Sequence, residues 1–275
     1  MLEQFLCHAT RDPRFREAFG ISSESAFMLW MYLDVQNEGP QGGQQQHLLW
    51  TLLFLKTYNT QNDLAGRCGV HRDTFRLWRD LFLERIASLE ELVSGQPSPC
   101  PQRYPLADSC YSCHHHQIDF ENRHMMADEY QVCKITVDGT DFWIYEPSPF
   151  DPKWYSHKIN GPAVRYEVAV CIKTGWIVWI NGPFPAGAWP DLNIAHLSLI
   201  HFLDEGEYYV ADGGYADGNQ WSSTPNGLND YEQRTKALAR ARHETVNRRF
   251  KVFGCLSQRY RHHQLELHGS IFHAV

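Results

Sequence analysis

The sequence has no apolar run of the length that a membrane helix requires. About 20 consecutive apolar residues are needed to span a bilayer, and the strongly apolar stretch HLLWTLLFLKTY, residues 47–58, is shorter than that. The first fifteen residues also lack the basic and then apolar order of a secretory signal. We therefore expect an intracellular protein with no membrane partner.

Positive charge is in short supply as well. The chain has 25 Lys and Arg residues against 32 Asp and Glu residues, for a net charge of -7. This balance argues against a protein that binds polyanions over its whole surface. The basic residues are nevertheless concentrated between Arg234 and Arg261, where Glu244 is the only acid. Such a strip predicts a local phosphate-binding surface.

Cysteine does not form a regular framework in this chain. The eight cysteines are scattered over 275 residues, so we expect reduced thiols and no disulfide scaffold. Residues 94–130 are rich in Pro, Ser and polar groups and are predicted to be a linker or insertion. Within them, Cys110 and Cys113 precede three histidines, His114 to His116, but a structural zinc site needs four ligands in two spaced pairs. A zinc site and a plain linker both remain open.

What the chain does contain is enough apolar material, 43% of its residues, to fold as a soluble globular protein. Residues 1–93 are predicted to form a helical domain. In it, residues 62–86 have the outline of a helix-turn-helix, with Gly69 in the turn and Asn62 or Asp63 as the first cap. The second helix carries cations suited to DNA contact, although an ordinary helical hairpin is the alternative. These cations are Arg72, Arg76 and Arg79.

The pattern changes to strands at residue 131. Residues 131–146 alternate, 163–173 and 175–182 form a predicted hairpin, and 191–203 has the spacing of an amphipathic helix. A short strand at 207–211 and a basic helix at 231–256 follow. The order predicts an α/β domain with a mixed sheet over residues 131–275.

Two acids follow apolar strand patterns and precede glycine. They are Asp138 in ITVDGTD and Asp212 in YYVADGGY. A strand that ends in Asp and then Gly places a carboxylate at the strand end, with room for a ligand beside the backbone. Asp-Gly is also the commonest turn dipeptide, and Asp141 is an alternative to Asp138.

The basic helix shows two faces. Val246, Phe250 and Phe253 recur at helical spacing and are predicted to pack on the sheet. The other face carries one acid among cations: Arg240, Glu244, Arg248 and Lys251. An ion-paired surface helix is one interpretation. The other is that Glu244 joins the two aspartates to hold two Mg²⁺ ions for phosphoryl transfer, with the cations neutralising DNA phosphates.

These motifs resemble DDE transposases of the PIF/Harbinger type. The resemblance covers roughly residues 45–275 and is carried by VDGTD, VADGGY and a helix with Arg240, Glu244 and Lys251. Ala237 stands where the related bacterial signature has Tyr. The resemblance implies an RNase H-like catalytic core with a mixed sheet, preceded by an all-α domain. It also implies two Mg²⁺ or Mn²⁺ ions on Asp138, Asp212 and Glu244.

The activity that the resemblance implies is the cutting and joining of DNA strands. The partners it implies are double-stranded DNA, a separate Myb-like DNA-binding protein and a second copy of the chain, in the nucleus. A domesticated or truncated relic that binds DNA without catalysis is the alternative, and a nuclease retained for a host role is another. Asp191 fits the family's segment between the first two acids or a helix N-cap, and residues 155–158 are predicted to be a DNA contact or a solvated loop.

Overall fold

The computed structural model describes residues 13–35, 39–94, 120–124, 133–216, 230–262 and 265–275. The chain divides into two compact units by its internal contacts. The first, here called the helical unit, consists of Met1–Leu89 and Phe250–Val275, and the second, the sheet unit, is Glu90–Arg249. The prediction of a mixed α/β protein is confirmed.

The described part of the chain contains nine α-helices and five strands. The helices are α1 (Pro13–Phe19), α2 (Ser23–Val35), α3 (Gln45–Thr57), α4 (Gln61–Cys68), α5 (Arg72–Ser94), α6 (Asp191–Leu197), α7 (Asp230–Phe250), α8 (Gly254–Ser257) and α9 (Leu265–Ala274). The strands are β1 (Cys133–Trp143), β2 (Tyr155–Ser156), β3 (Gly161–Cys171), β4 (Ile177–Pro185) and β5 (Tyr208–Val210). Short 3₁₀ turns at Phe120–His124, Pro152–Trp154, Leu199–His201 and Gly213–Tyr215 complete these ranges.

The helical unit is built around α3, whose apolar side chains are almost all buried. Leu48, Leu52 and Phe82 belong to one cluster with side chains of α1 and α2, and each such side chain contributes about 1.5–3 kcal/mol on burial. Although α3 is strongly apolar, no helix in the described ranges combines the length and hydrophobicity needed to cross a membrane.

The predicted helix-turn-helix region contains the expected pair of helices. Gly69, with φ of 71°, ends α4 in the left-handed conformation that glycine tolerates. The cap differs from the prediction, because the hydroxyl of Thr60 accepts the hydrogen bond from Asp63 N. The second helix, α5, also continues to Ser94, beyond the predicted end at 86.

The last part of the chain belongs to the helical unit, whereas the sequence placed residues 131–275 in one domain. Phe250 stacks on Phe272 of α9 at 4.9 Å, and a side chain at Gly20 would collide with the Phe253 ring. The prediction that these two phenylalanines pack on the sheet is therefore wrong, although Val246 is buried in the sheet unit. The basic helix ends at Phe250, the residue at which the chain enters the aromatic contacts of the helical unit.

The sheet is mixed, with β1 at its centre. Along one edge β1 pairs antiparallel with β3, and along the other it pairs parallel with β5. The far edge of β3 carries β4 and the short β2, both antiparallel. The parallel pair needs a crossover, which here includes α6. Alternation along β1 points Ile135 and Val137 into the core cluster that contains residues of α6.

The opposite face of the sheet is covered by α7. Ala239 of α7 clusters with Ile172 and Val210 on this face. Helix packing on both faces explains why β3 is buried along nearly its whole length, in contrast to a strand with one solvated face. The polar residues of β1 that share the α7 face are therefore held against a helix.

Candidate functional site

The pairing of β1 with β5 brings two of the predicted acids to neighbouring positions. Thr136 lies opposite Val210 in the parallel register. Asp138 and Asp212 each follow two residues later, and Asp212 keeps an extended backbone at φ −81° and ψ −179°. Asp212 lies two residues beyond the end of β5 and caps the 3₁₀ turn Gly213–Tyr215, so the parallel register brings the chain at Asp212 towards Asp138.

Asp138 is not at the end of its strand, contrary to the prediction. β1 continues to Trp143, and Gly139 pairs with Glu167 in the middle of the ladder. The reason for glycine there is space, since a Cβ on Gly139 would lie 2.0 Å from Asp191 Oδ1. Gly139 therefore makes room for a third carboxylate and does not form a turn.

Asp191 is that third carboxylate, and it does not cap a helix. It is the first residue of α6, and the cap position before it is Pro190. Its side chain is 7% exposed and forms ion pairs with Lys158 Nζ at 3.0 Å and with Arg165 Nη1 at 3.1 Å. Burial raises the pKa of Asp191, and the charges of Lys158 and Arg165 oppose that shift. The structural role predicted for Asp191 as a cap is wrong.

The Asp191 carboxylate also approaches Asp212. A Cβ built on Gly214 would lie 3.0 Å from Asp212 Oδ1 and 3.3 Å from Asp191 Oδ2. Asp212 is exposed, and its carboxylate accepts a hydrogen bond from Gly214 N at 2.8 Å. Asp138, Asp191 and Asp212 therefore converge on one edge of the sheet, and we call them the carboxylate cluster.

Lys158 lies inside the carboxylate cluster. Its ammonium donates to Gly139 O at 2.9 Å and to Asp138 Oδ1 at 3.4 Å, in addition to the ion pair with Asp191. Burial lowers the pKa of Lys158, but the Asp138 and Asp191 charges outweigh it and the net shift is upward. Residues 155–158 form β2 and the start of an exposed turn, and this turn places the lysine.

Asp141, the alternative to Asp138, has a structural role. Its carboxylate receives Arg165 Nε at 2.7 Å and Arg165 Nη2 at 2.8 Å, and the Ser156 hydroxyl also contacts it. The Asp141 side chain is 1% exposed, whereas that of Asp138 is 33% exposed. Asp138 is therefore the accessible acid of the DGTD segment.

Two polar residues of α7 face Asp138. Asn247 Nδ2 lies 3.5 Å from Asp138 Oδ2, and Asn247 Oδ1 is buried with no hydrogen-bond partner among the described residues. His243, one turn earlier, is 5% exposed and lies against the backbone of Thr136 in β1. Burial lowers the pKa of His243, while the Asp138 charge raises it.

Sequence reasoning missed His243 and Asn247. A signal was present, because they fall at helical spacing with the buried Ala239 and Val246. Polar residues on an otherwise apolar stripe indicate a buried polar site.

Glu244 is placed differently from the prediction. It is exposed on α7 and makes no hydrogen bond or ion pair with any residue that the structure describes. Within the described ranges, no three His, Cys, Asp or Glu side chains are close enough to hold a metal ion. Asp138 and Asp212 therefore belong to the two segments of the parallel pair, whereas Glu244 is exposed on α7.

The predicted DNA-contacting cations divide into exposed and buried groups. Those that are exposed are Arg240 and Arg248 on α7, Lys251 in the turn after it, and Arg72 and Arg76 on α5. Arg79 is 3% exposed, donates to Asp80 at 2.8 Å and lies 4.7 Å from the Phe54 ring centre. Arg79 is therefore not available to DNA. Cys110, Cys113 and the adjacent histidines lie outside the described residues.

The geometry defines a class: an α/β protein with carboxylates gathered at one edge of a mixed sheet and a polar pair on the covering helix. No protein-family model matches the chain, and neither a curated protein nor a solved structure matches it. The function must therefore follow from the chemistry of this site.

Proposed function

We propose that the protein is a divalent-metal-dependent enzyme that cuts and joins DNA strands, with an RNase H-like core of the DDE type. The observation that carries the proposal is the parallel pairing of β1, which contains Asp138, with β5, which Asp212 follows by two residues. The sheet arrangement supports it: an antiparallel meander continues into a parallel strand beside β1. The resemblance of VDGTD and VADGGY to PIF/Harbinger-type transposases points to the same chemistry.

The residues present fit a hard cation. Mg²⁺ and Mn²⁺ take oxygen ligands from carboxylates and amides. Asp138 and Asp212 offer carboxylates, and Asn247 offers an amide oxygen that is buried and lacks a donor among the described residues. When bound, two such ions supply an activated attacking oxygen and stabilisation of the leaving oxygen in phosphoryl transfer.

We propose Asn247 as the residue by which α7 completes the site. It lies within 3.5 Å of Asp138, whereas Glu244, three residues earlier on α7, is exposed. Glu244, the acid that the family motif favours, is the alternative third ligand, and the two assignments predict different variants to be inactive.

DNA is the proposed substrate because exposed cations share α7 with the polar pair. Arg240 and Arg248 are exposed on α7, and arginine forms strong, bidentate contacts with phosphate. In the helical unit, the exposed Arg72 and Arg76 at the start of α5 are proposed to contact a DNA duplex in the manner of a helix-turn-helix.

The test is cleavage of a supercoiled plasmid with Mg²⁺ or Mn²⁺. We expect Asp138→Asn and Asp212→Asn to lose at least about a hundredfold in rate, equivalent to roughly 2.7 kcal/mol of transition-state stabilisation, and EDTA to abolish cleavage. Asn247→Ala and Glu244→Gln form the matched pair that identifies the third ligand. If both aspartate variants cut as fast as the unmodified chain, the enzyme proposal is wrong.

A second candidate is a DNA-binding protein without catalysis. It is favoured by Lys158, which neutralises carboxylates that would otherwise bind metal, and by the exposed arginines of α5. Its test is salt-dependent duplex binding by fluorescence anisotropy: Arg72→Ala with Arg76→Ala should weaken binding and reduce the salt dependence. Binding that persists without any metal-dependent cleavage would establish this candidate. A Myb-like partner, self-association and nuclear residence belong to the first proposal.

A further inference from the structure

We infer that Lys158 is a built-in counter-cation of the carboxylate cluster, one that a divalent ion must displace in order to bind. This inference rests on the proposed function, because it concerns the same site. The Lys158 ammonium lies 2.9 Å from Gly139 O, 3.0 Å from Asp191 Oδ2 and 3.4 Å from Asp138 Oδ1. These are one carbonyl and two carboxylate oxygens, the ligand types that Mg²⁺ and Mn²⁺ select.

The ammonium uses its full hydrogen-bonding capacity in this position. A lysine has three N–H donors and no acceptor, and three oxygens of the site surround it. No neutral side chain could hold two carboxylates this close without protonation of one of them. Lys158 therefore stabilises the arrangement of Asp138 and Asp191 in the absence of another cation.

Lys158 is positioned so that it can leave, unlike the other cation of the site. Its side chain is 37% exposed, whereas that of Arg165 is 8% exposed and bound through two hydrogen bonds to Asp141. The lysine stem has four flexible carbons, so the ammonium can move into solvent without disturbing the sheet. Arg165 is the permanent cation and Lys158 the exchangeable one.

A second observation shows that Lys158 satisfies only part of the site. Asn247 Oδ1 remains without a donor in the described ranges. Buried polar groups of this kind are rarely left unpaired. Asn247 turns its Nδ2 towards Asp138 Oδ2 at 3.5 Å, and a flip of the amide would offer Oδ1 to a divalent ion coordinated by Asp138. Exchange of the ammonium for the ion therefore resolves the unpaired group.

Two outcomes follow for metal affinity. Removing the charge of Lys158 eliminates the competing cation, so Lys158→Met should bind Mn²⁺ about tenfold more tightly than the unmodified chain, a difference of about 1.4 kcal/mol. Lys158→Arg should bind no more tightly than the unmodified chain, because it retains the charge. The matched control is Lys153→Met, which removes a cation of the same unit that pairs with Asp151 at 2.8 Å.

The measurement is the loss of the free Mn²⁺ signal in electron paramagnetic resonance, on the full chain and without DNA. Tighter binding by Lys158→Met with unchanged binding by Lys153→Met supports the inference. Equal or weaker binding by Lys158→Met overturns it, even when the unmodified chain binds Mn²⁺ and cleaves DNA. If neither the unmodified chain nor Lys158→Met binds Mn²⁺ while both are folded, the proposed metal-dependent function is wrong as well.

A second measurement needs no variant and so does not depend on how Lys158→Met folds. Acetylation of lysines by acetic anhydride, followed by mass spectrometry, should label Lys158 several-fold faster when saturating Mn²⁺ is present, because the displaced ammonium is exposed. Lys153 serves as the internal reference and should be labelled at the same rate in both conditions. Labelling of Lys158 that does not change with Mn²⁺, under conditions where binding is established, overturns the exchange.

Discussion

The two units bury positive charge in different ways. In the helical unit, Arg79 is 3% exposed, but its partner Asp80 is 47% exposed and the guanidinium lies over the Phe54 ring. In the sheet unit, Arg165 is 8% exposed and its partners, Asp141 and Asp191, are 1% and 7% exposed. Desolvating three charges together costs several kcal/mol. Such charges are commonly found where chemistry requires them, and here they border the candidate site.

The largest expected effect is the loss of Arg165. Arg165→Met removes the cation from two buried carboxylates, and breaking a buried pair in this way costs about 3–5 kcal/mol. Urea denaturation followed by circular dichroism should show this loss in the free energy of unfolding.

The matched variant in the helical unit is Arg79→Met. Its partner carboxylate is half exposed and is solvated after the change, so we expect a loss of about 1 kcal/mol. Equal losses in the two variants would contradict the contrast between the units, and the burial of the Arg165 partners would then have no energetic consequence.

The second largest effect on stability is expected from a buried acid in the sheet unit. Glu167 is fully buried and accepts a hydrogen bond from Trp179 Nε1 at 3.1 Å. Burial raises the pKa of Glu167 to about 8 from 4.5, with a further contribution from the Asp191 charge. Its stabilising contribution is therefore complete below pH 4.5 and is lost as the pH rises through 8.

Glu167→Gln should remove this dependence. We expect its free energy of unfolding to exceed that of the unmodified chain by an amount that grows between pH 5 and pH 8, on the order of a few kcal/mol at the upper end. Urea denaturation at several pH values measures the difference. A difference that stays constant with pH would show that Glu167 is ionised in the folded protein.

The helical unit should respond to pH in the opposite direction through His268. This residue is fully buried in α9, edge-on to the Tyr260 ring at 4.8 Å, and burial lowers its pKa from 6.5 to about 3. Below pH 6.5 the His268 imidazole is protonated in the unfolded chain but stays neutral in the folded protein. The free energy of unfolding therefore falls as the pH drops from 6.5 towards 3.

His268→Gln tests the sign of this effect. Relative to the unmodified chain, the variant should gain stability steadily as the pH is lowered from 6.5 to 4, by roughly 1–3 kcal/mol, whatever constant offset the substitution introduces. The same urea series measures it. If the variant instead gained stability relative to the unmodified chain as the pH is raised, the His268 imidazole would be protonated in the folded protein. The contrast with Glu167 would then be wrong.

Local patterns predicted every described strand except the short β2, and several of the helices, whereas long-range contacts set the site. Alternation identified the strand that contains Asp138 and the strand that precedes Asp212, but their pairing in parallel is a long-range contact. The rotation of α7 about its own axis was not predictable, because it depends on Ala239 packing against Ile172 and Val210. That rotation turns Asn247 towards Asp138 and leaves Glu244 exposed.

The remaining site residues were not predicted because the local sequence around each of them fits another role equally well. Asp191 precedes a helix and has the chemistry of a cap, and only the space beside Gly139 shows that it faces the sheet. Lys158 is twenty positions from Asp138 in sequence, and its place depends on β2, which is too short to show a strand pattern. The C-terminal residues 250–275 follow the basic helix directly, so their aromatic contacts in the helical unit left no signal in spacing.

Two glycines, one in each unit, give the smallest expected effects on stability. In the sheet unit, a Cβ at Gly139 would lie 2.0 Å from Asp191 Oδ1, so Gly139→Ala must displace that carboxylate and should cost about 1–3 kcal/mol. In the helical unit, Gly66 lies within α4, is exposed, and a Cβ there would have no atom within 4 Å. Gly66→Ala should therefore stabilise the protein by about 0.5–1 kcal/mol, because alanine loses less backbone entropy in a helix. The two changes add the same methyl group. If Gly66→Ala raises the thermal unfolding temperature and Gly139→Ala lowers it, the space beside Gly139 is needed by the Asp191 side chain. Stabilisation by Gly139→Ala would mean that Asp191 is free to move away.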